Sequence, residues 1–146
     1  VNIMMVSTKG RYALRIMVDL AGRASEGYVS LKSIASRQGI SEKYMESIVS
    51  MLVKNGFVEG LRGKGGGYKL TRPADTYTVG SILRVTEGSL APVACLESSA
   101  NKCERAEQCT TLPVWKKLDE IINDYLESVN LADLAGCPDG GDNYVI

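Results

Sequence analysis

The chain has 146 residues, 17 Lys+Arg, 17 Asp+Glu and no His, for a formal net charge of zero. That length suits one domain or a small domain with an appended element, and 45% hydrophobic with 23% charged residues excludes wholesale disorder. Without His there is no Ser-His-Asp or Cys-His machinery and no HExxH zinc site; no apolar run approaches the roughly 20 residues of a membrane span, and no basic-then-apolar secretion signal is evident, so the expectation is a cytoplasmic protein without membrane contact.

The zero net charge conceals an uneven split. Residues 1–72 carry 12 basic against 5 acidic residues, a net +7, and residues 73–146 carry 5 against 12, a net −7. A basic half that meets phosphates, joined to an acidic half with another task, fits this pattern. Chance asymmetry on a solvated surface would look the same, so the motifs must decide.

In chain order, residues 1–3 precede two methionines and enter no element. Residues 12–24 read as a helix, because Leu14, Met17, Leu20 and Ala21 recur at spacings of three and four. Ser7 and Thr8 stand before it as caps. Ser30 caps a helix over 31–37, and Gly39 supplies a positive-φ turn. Ser41 caps a third helix over 42–55, with Tyr44, Ile48 and Leu52, beside Met45 and Val49, facing inward. Strands over 57–61 and 68–71 flank a basic tip, Arg62-Gly63-Lys64-Gly65-Gly66-Gly67, and predict a β-hairpin. Thr78 caps a short helix over 79–87. Residues 88–108 hold cysteines and little periodicity. The longest helix spans 112–129, where Trp115, Leu118, Ile122, Tyr125 and Val129 form a stripe flanked by Val114, Ile121 and Leu126. Asn130 caps a final turn over 131–135, and 136–146 reads as a frayed tail. Helix, helix–Gly turn–helix, hairpin is the order of a winged helix-turn-helix. The expected fold is mainly α with a small β-hairpin wing and a long C-terminal helix.

The third helix presents Ser41, Glu42, Lys43, Glu46 and Ser47 opposite Ile48 and Leu52. Ser41 and Ser47 suit phosphates or bases, and Lys43 a phosphate. A carboxylate such as Glu46 repels phosphate but accepts from cytosine N4, so it would discriminate between sites. An exposed charge near a helix N-terminus explains Glu46 equally well. At the hairpin tip, Arg62 and Lys64 sit among glycines on thin backbone that can approach DNA closely, and an Arg there suits a narrow minor groove. A nucleotide-binding loop is disfavoured because no Walker pattern is present and no helix follows.

Cys95, Cys103 and Cys109 fall in the polar, irregular segment, and Cys137 follows 28 residues later. Four cysteines without a secretion signal favour metal or redox chemistry over structural disulfides. No CxxC is present, which weakens zinc-ribbon and thioredoxin readings. Three loop thiols suit an iron–sulfur cluster; the bland alternative, incidental small apolar residues, fits Cys137 better than the other three.

Taken together, Ser7-Thr8-Lys9-Gly10-Arg11-Tyr12-Ala13, Ile40-Ser41-Glu42-Lys43-Tyr44-Met45-Glu46, the wing through Tyr68 and the three-Cys loop resemble the Rrf-two (BadM-type) winged helix-turn-helix transcription regulators, nearest their IscR-type iron–sulfur cluster branch. The resemblance covers roughly residues 4–135. It implies a DNA-binding domain over 4–75, a cluster loop and dimerisation helix over 76–136, and a flexible tail over 137–146. It implies a homodimer on a pseudo-palindromic promoter site, with Ser7, Lys9, Ser41, Lys43, Tyr44, Glu46, Ser47, Arg62, Gly63 and Lys64 at or near DNA. It implies cluster ligands Cys95, Cys103 and Cys109, in a regulator of cluster-assembly genes rather than an enzyme.

The branch usually has a His three residues after the third Cys as ligand of a 2Fe–2S cluster, and that position here is Leu112. Cys137, Glu107, Thr110, Thr111 or a group from a partner's first helix remain for the fourth position. A 2Fe–2S cluster is the leading expectation. A 4Fe–4S cluster, as in nitric-oxide-sensing relatives, is the alternative, followed by a cluster-free repressor of cysteine metabolism.

Overall fold

A computed structural model of the chain describes residues 6–96 and 106–136. The expected tail over 137–146 lies outside the described residues. The fold is mainly helical with one two-stranded antiparallel hairpin, as expected.

Helix α1, Thr8–Gly22, begins four residues before the predicted start. Ser7 makes the difference: its hydroxyl accepts from Gly10 N–H at 3.0 Å, satisfying one of the free donors of the first turn. The buried face is also wider than the Leu14-based stripe. Gly10, Ala13, Ile16, Met17 and Leu20 are buried, whereas Leu14 and Ala21 are only half-buried. Packing explains the width, because α2 (Leu31–Gln38) and α3 (Glu42–Lys54) cover one side of α1 while α4 (Val79–Glu87) and α6 (Leu131–Ala135) cover another.

Ser7 caps α1, whereas Thr8, the other predicted cap, is its first residue; the remaining predicted caps hold. Ser30, Ser41 and Thr78 each have extended backbone and accept from the N–H three residues on, in Ser33, Tyr44 and Ser81. Asn130 and Asp133 form a reciprocal capping box on α6. Gly39 ends α2 at φ 65°, in the left-handed region that L side chains rarely adopt.

Strands β1 (Val58–Leu61) and β2 (Gly67–Leu70) pair with Val58 opposite Leu70 and Leu61 opposite Gly67. Val29, between α1 and α2, exchanges two hydrogen bonds with Tyr68, 2.9 and 2.8 Å long. Gly67 makes this approach feasible: a Cβ there would lie 2.2 Å from the Val29 carbonyl oxygen. At the hairpin base, fully buried Tyr77 donates from its hydroxyl to the Phe57 carbonyl at 2.7 Å and accepts from Thr71 N–H at 3.1 Å. The buried phenol is therefore satisfied, and it ties the hairpin to the start of α4.

One buried cluster unites these parts. Ala13, Ile16, Met17, Leu20, Ile34, Met45, Ile48, Leu52, Val58, Tyr77, Ile82 and Leu131 all belong to it. Full burial of each large aliphatic contributes about 1.5–3 kcal/mol relative to exposure. The long helix α5, Leu112–Ser128, differs: Leu112 is its one buried residue. Polar contacts latch it to α4. Arg84 donates to Glu127 and, at 2.5 Å, to Asn123 Oδ1, and the Thr78 hydroxyl donates to the other Glu127 oxygen at 2.9 Å.

Candidate nucleic-acid interface and cysteine segment

On α3 the apolar positions settle which side faces out. Met45, Ile48, Val49 and Leu52 are buried, which leaves Ser41, Glu42, Lys43, Glu46 and Ser47 exposed on the opposite face. The Ser47 hydroxyl donates to the Tyr44 carbonyl at 2.7 Å, so its proton is held inside the helix and its lone pairs face out. Tyr44 is half-buried and meets Tyr12 edge-on, with ring centroids 5.8 Å apart. Tyr44 thus fixes the first turn while Lys43 and Glu46 carry free-standing heads at the surface. Among the described residues neither Lys43 nor Glu46 has an ion-pair partner.

Arg62, Gly63 and Lys64 lie exposed at the hairpin tip, where Gly66 N–H closes a turn on the Gly63 carbonyl at 3.0 Å. Below the tip the hairpin is braced. Lys69 pairs with Glu59 at 3.3 Å and lies 4.7 Å from the centroid of the Tyr28 ring, whose hydroxyl donates to the same Glu59 oxygen at 3.2 Å. An open cleft of about 370 Å³ separates α3 from the wing, lined by Ser50, Val53, Gly60, Leu61, Arg62 and Tyr68.

The Ser7 hydroxyl donates to Glu87 Oε1 at 2.6 Å, committing its proton to packing between α1 and α4, and Lys9 is half-buried.

Sequence reading missed a polar group between α1 and the end of α2. Arg15, on α1, donates to both the side-chain oxygen and the backbone carbonyl of Gln38, at 3.0 and 2.6 Å. Asp19, one turn further, accepts from Arg37 at 2.7 and 3.0 Å and from Gln38 at 2.9 Å, with Arg23 at 3.5 Å. Burial pushes the Asp19 carboxyl up, but these hydrogen bonds and the Arg37 and Arg23 charges outweigh it and hold the group below its usual range. These partners lie 18 to 23 residues apart in sequence, apart from Arg23, so no local pattern signals them.

In the cysteine segment, Cys95 and Cys109 are half-buried, while Cys103 and Cys137 lie outside the described residues. Cys109 Sγ is 3.5 Å from Thr111 Oγ1. Hydrogen bonds from the Thr111 side chain, its backbone and the Leu112 N–H draw the thiol down, against burial, which raises it. Among the described residues no three Cys, Asp or Glu side chains gather as a metal site. Glu107, Thr110 and Thr111 are exposed, and Leu112 is 8% exposed, turned into the packing.

The acidic half also exposes apolar surface. On α5, Val114, Ile121 and Tyr125 are 58%, 52% and 65% exposed, although they belong to or flank the predicted apolar stripe. Among the described residues no helix is long and apolar enough to cross a membrane.

Residues 6–136 match the family described as "Rrf2: Iron-dependent Transcriptional regulator". The chain is 40% identical over 131 residues to the HTH-type transcriptional regulator IscR of Erwinia tasmaniensis, covering 90% of this chain and 78% of that protein. Two solved structures are similar at 40% identity. CymR (YrzC), named the global cysteine regulator of B. subtilis, superposes with a TM-score of 0.77 over 92% of this chain and 98% of its own. T. potens IscR superposes with a TM-score of 0.71 over 96% of both.

Proposed function

The chain belongs to the Rrf2 family of transcriptional regulators, a DNA-binding and non-enzymatic family, and from that premise we propose that its promoter binding is controlled by an iron–sulfur cluster held by Cys95, Cys103 and Cys109. The observation that carries this reading is the joining of two parts in one fold. A basic module carries an exposed polar turn of α3 beside the wing, and a polar segment with three thiols links α4 to α5.

Residues 4–75 read DNA. Lys43 and Arg62 neutralise phosphates or probe a narrow minor groove, and Glu46 selects among sites by accepting from cytosine N4. Residues 76–136 sense and dimerise. The exposed apolar residues of α5 meet a second copy, so that two α3 helices address two half-sites of a pseudo-palindromic duplex. The terminal segment 137–146 supplies Cys137 as one candidate for the fourth ligand.

The donor set fits the cluster. Thiolates are the ligands iron–sulfur clusters take, and the O–H and N–H donors around Cys109 Sγ favour the thiolate form. Cys95, Cys103 and Cys109 would hold the cluster, which would supply a redox- and supply-sensitive group. Leu112 has no ligating atom, so the fourth ligand comes from Cys137, Glu107, Thr110, Thr111 or a partner copy. A 2Fe–2S cluster is the favoured form, with targets among cluster-assembly genes; a 4Fe–4S sensor of nitric oxide or redox state is the alternative form.

A second reading has its own support. The likeness to CymR and the apolar Leu112 favour a cluster-free regulator of cysteine metabolism. Anaerobic purification with iron and sulfide analysis, followed by Mössbauer spectroscopy of the protein and its Cys137→Ala variant, separates the two. Stoichiometric iron lost in a Cys95→Ala, Cys103→Ala, Cys109→Ala variant supports cluster sensing. Iron-free protein after reconstitution, with promoter control intact in that variant, establishes the cluster-free reading.

A further inference from the structure

We infer that Arg15 is a positioning residue for base reading: it sets the placement of the first turn of α3 from α1. The inference rests on the reading of α3 as the helix that meets the bases.

The argument begins at the end of α2. Gln38 is its last residue, and the carbonyls of a final helical turn lack helical partners. Arg15 Nη2 fills that need at 2.6 Å, while Nε donates to the Gln38 side-chain oxygen at 3.0 Å. Gln38 in turn donates to Asp19 at 2.9 Å, which also holds Arg37. The C-terminus of α2 is thereby tied to α1 at three points. Only Gly39 and Ile40 separate Gln38 from Ser41, the cap of α3.

The same guanidinium also reaches the other side of the turn. It lies 5.2 Å from the centroid of the Tyr12 ring, and Tyr12 meets Tyr44 edge-on at 5.8 Å. Tyr44 sits in the first turn of α3, between Lys43 and Glu46, and accepts from Ser47. Arg15 thus touches the residue that ends α2 and, through one ring, the residue that orients α3. Its position is exposed, yet two of its donor groups are spent on Gln38. A guanidinium kept only for phosphate would leave those donors to solvent. Base discrimination demands side chains held to within about 0.5 Å, and the Gln38–Ser41 turn is where a slip would enter.

The test uses the full-length protein and a randomised duplex library, from which the wild type selects its preferred sequence. Arg15→Ala, Arg15→Lys and Tyr12→Leu are compared with wild type and with Glu46→Ala. Thermal melting checks the fold, and if Arg15→Ala fails to melt cooperatively, Arg15→Lys decides. The expected result for Arg15→Ala is about tenfold weaker binding to the preferred duplex. Base preference should flatten at the positions that Glu46→Ala also alters, with the salt slope unchanged. Lysine cannot bridge both Gln38 oxygens and stack on Tyr12, so Arg15→Lys should not restore preference, and Tyr12→Leu should reproduce part of the flattening. A salt slope shallower by about one unit, restored by lysine, would make Arg15 a phosphate contact and overturn the proposal. Unchanged base preference in both Arg15 variants would also overturn it, while leaving the α3 reading intact if Glu46→Ala shifts preference. Unchanged preference in Glu46→Ala would remove Glu46 from the reading surface, and the inference then stands if Arg15→Ala alone flattens base preference and falls if it does not.

Discussion

Glu87, at the end of α4, closes the N-terminus of α1 by accepting from Ser7 twice on one oxygen, from the backbone N–H at 3.0 Å and from the hydroxyl at 2.6 Å. Gly10 leaves the room for this carboxylate. A Cβ at position 10 would stand 2.3 Å from the same Glu87 oxygen. In an open helix Gly→Ala stabilises by about 1 kcal/mol. Here we expect Gly10→Ala to destabilise by about 1–3 kcal/mol, because the carboxylate must leave Ser7 to make space. In a Glu87→Ala background the same substitution should cost far less. Thermal denaturation of the four proteins of this cycle reads the coupling, and additive effects would contradict the contact.

Asp19 makes stability depend on acid. Its side chain is 4% exposed and its folded pKa lies below the ordinary carboxylate value of 3.8. A group with a depressed folded pKa stabilises the fold above its unfolded pKa, and that contribution fades as pH falls through the folded one. Stability should therefore decline as pH drops below about 4. Asp19→Asn should lose about 2 kcal/mol at neutral pH and show a flatter acid limb in urea titrations run across that range. An acid limb identical to wild type would assign the pH dependence to other carboxylates.

Arg62→Ala should weaken binding to the preferred duplex and make the slope of log K against log salt shallower by about one unit if the guanidinium neutralises a phosphate. If it enters a narrow minor groove instead, A·T-rich sites should lose most affinity. Fluorescence anisotropy over a salt series, on A·T-rich and G·C-rich duplexes, distinguishes the two. Wild-type affinity and slope on both would contradict a DNA-facing wing.

Much of the fold was legible because its signals are local. Ser30, Ser41, Thr78 and Asn130 each announce a helix that begins at the next residue. The Gly-rich run between two apolar segments likewise marks the hairpin tip. The start of α1 is placed late because Lys9, Gly10 and Arg11 carry no apolar stripe, although its cap Ser7 is local, accepting from Gly10 N–H. The width of the α1 core face was missed for a different reason. Ala13 and Ile16 join one core to which α4 and α6, from the other half of the chain, contribute along with α2 and α3. At the site, the exposed face of α3 follows from periodicity alone. The Arg15–Gln38 and Asp19–Arg37 contacts do not, since nothing in the spacing of a charged residue names a partner on the next helix. Ser7, which the resemblance places at or near DNA, was also read as a cap, and it fills that role at Gly10 while bonding Glu87.

The pairing of Val29 with Tyr68 has a thermodynamic consequence. Both edges of β2 are engaged, one by β1 and one, at Tyr68, by the α1–α2 linker. A free two-stranded ribbon is marginal in water and would have to surrender conformational freedom on meeting a ligand, weakening the complex by that amount. Here the ordering is done when the chain folds. The tip at Arg62 arrives on a rigid lever whose fulcrum is Gly67, so a side chain added at Gly67 would loosen the lever without touching any residue at its end.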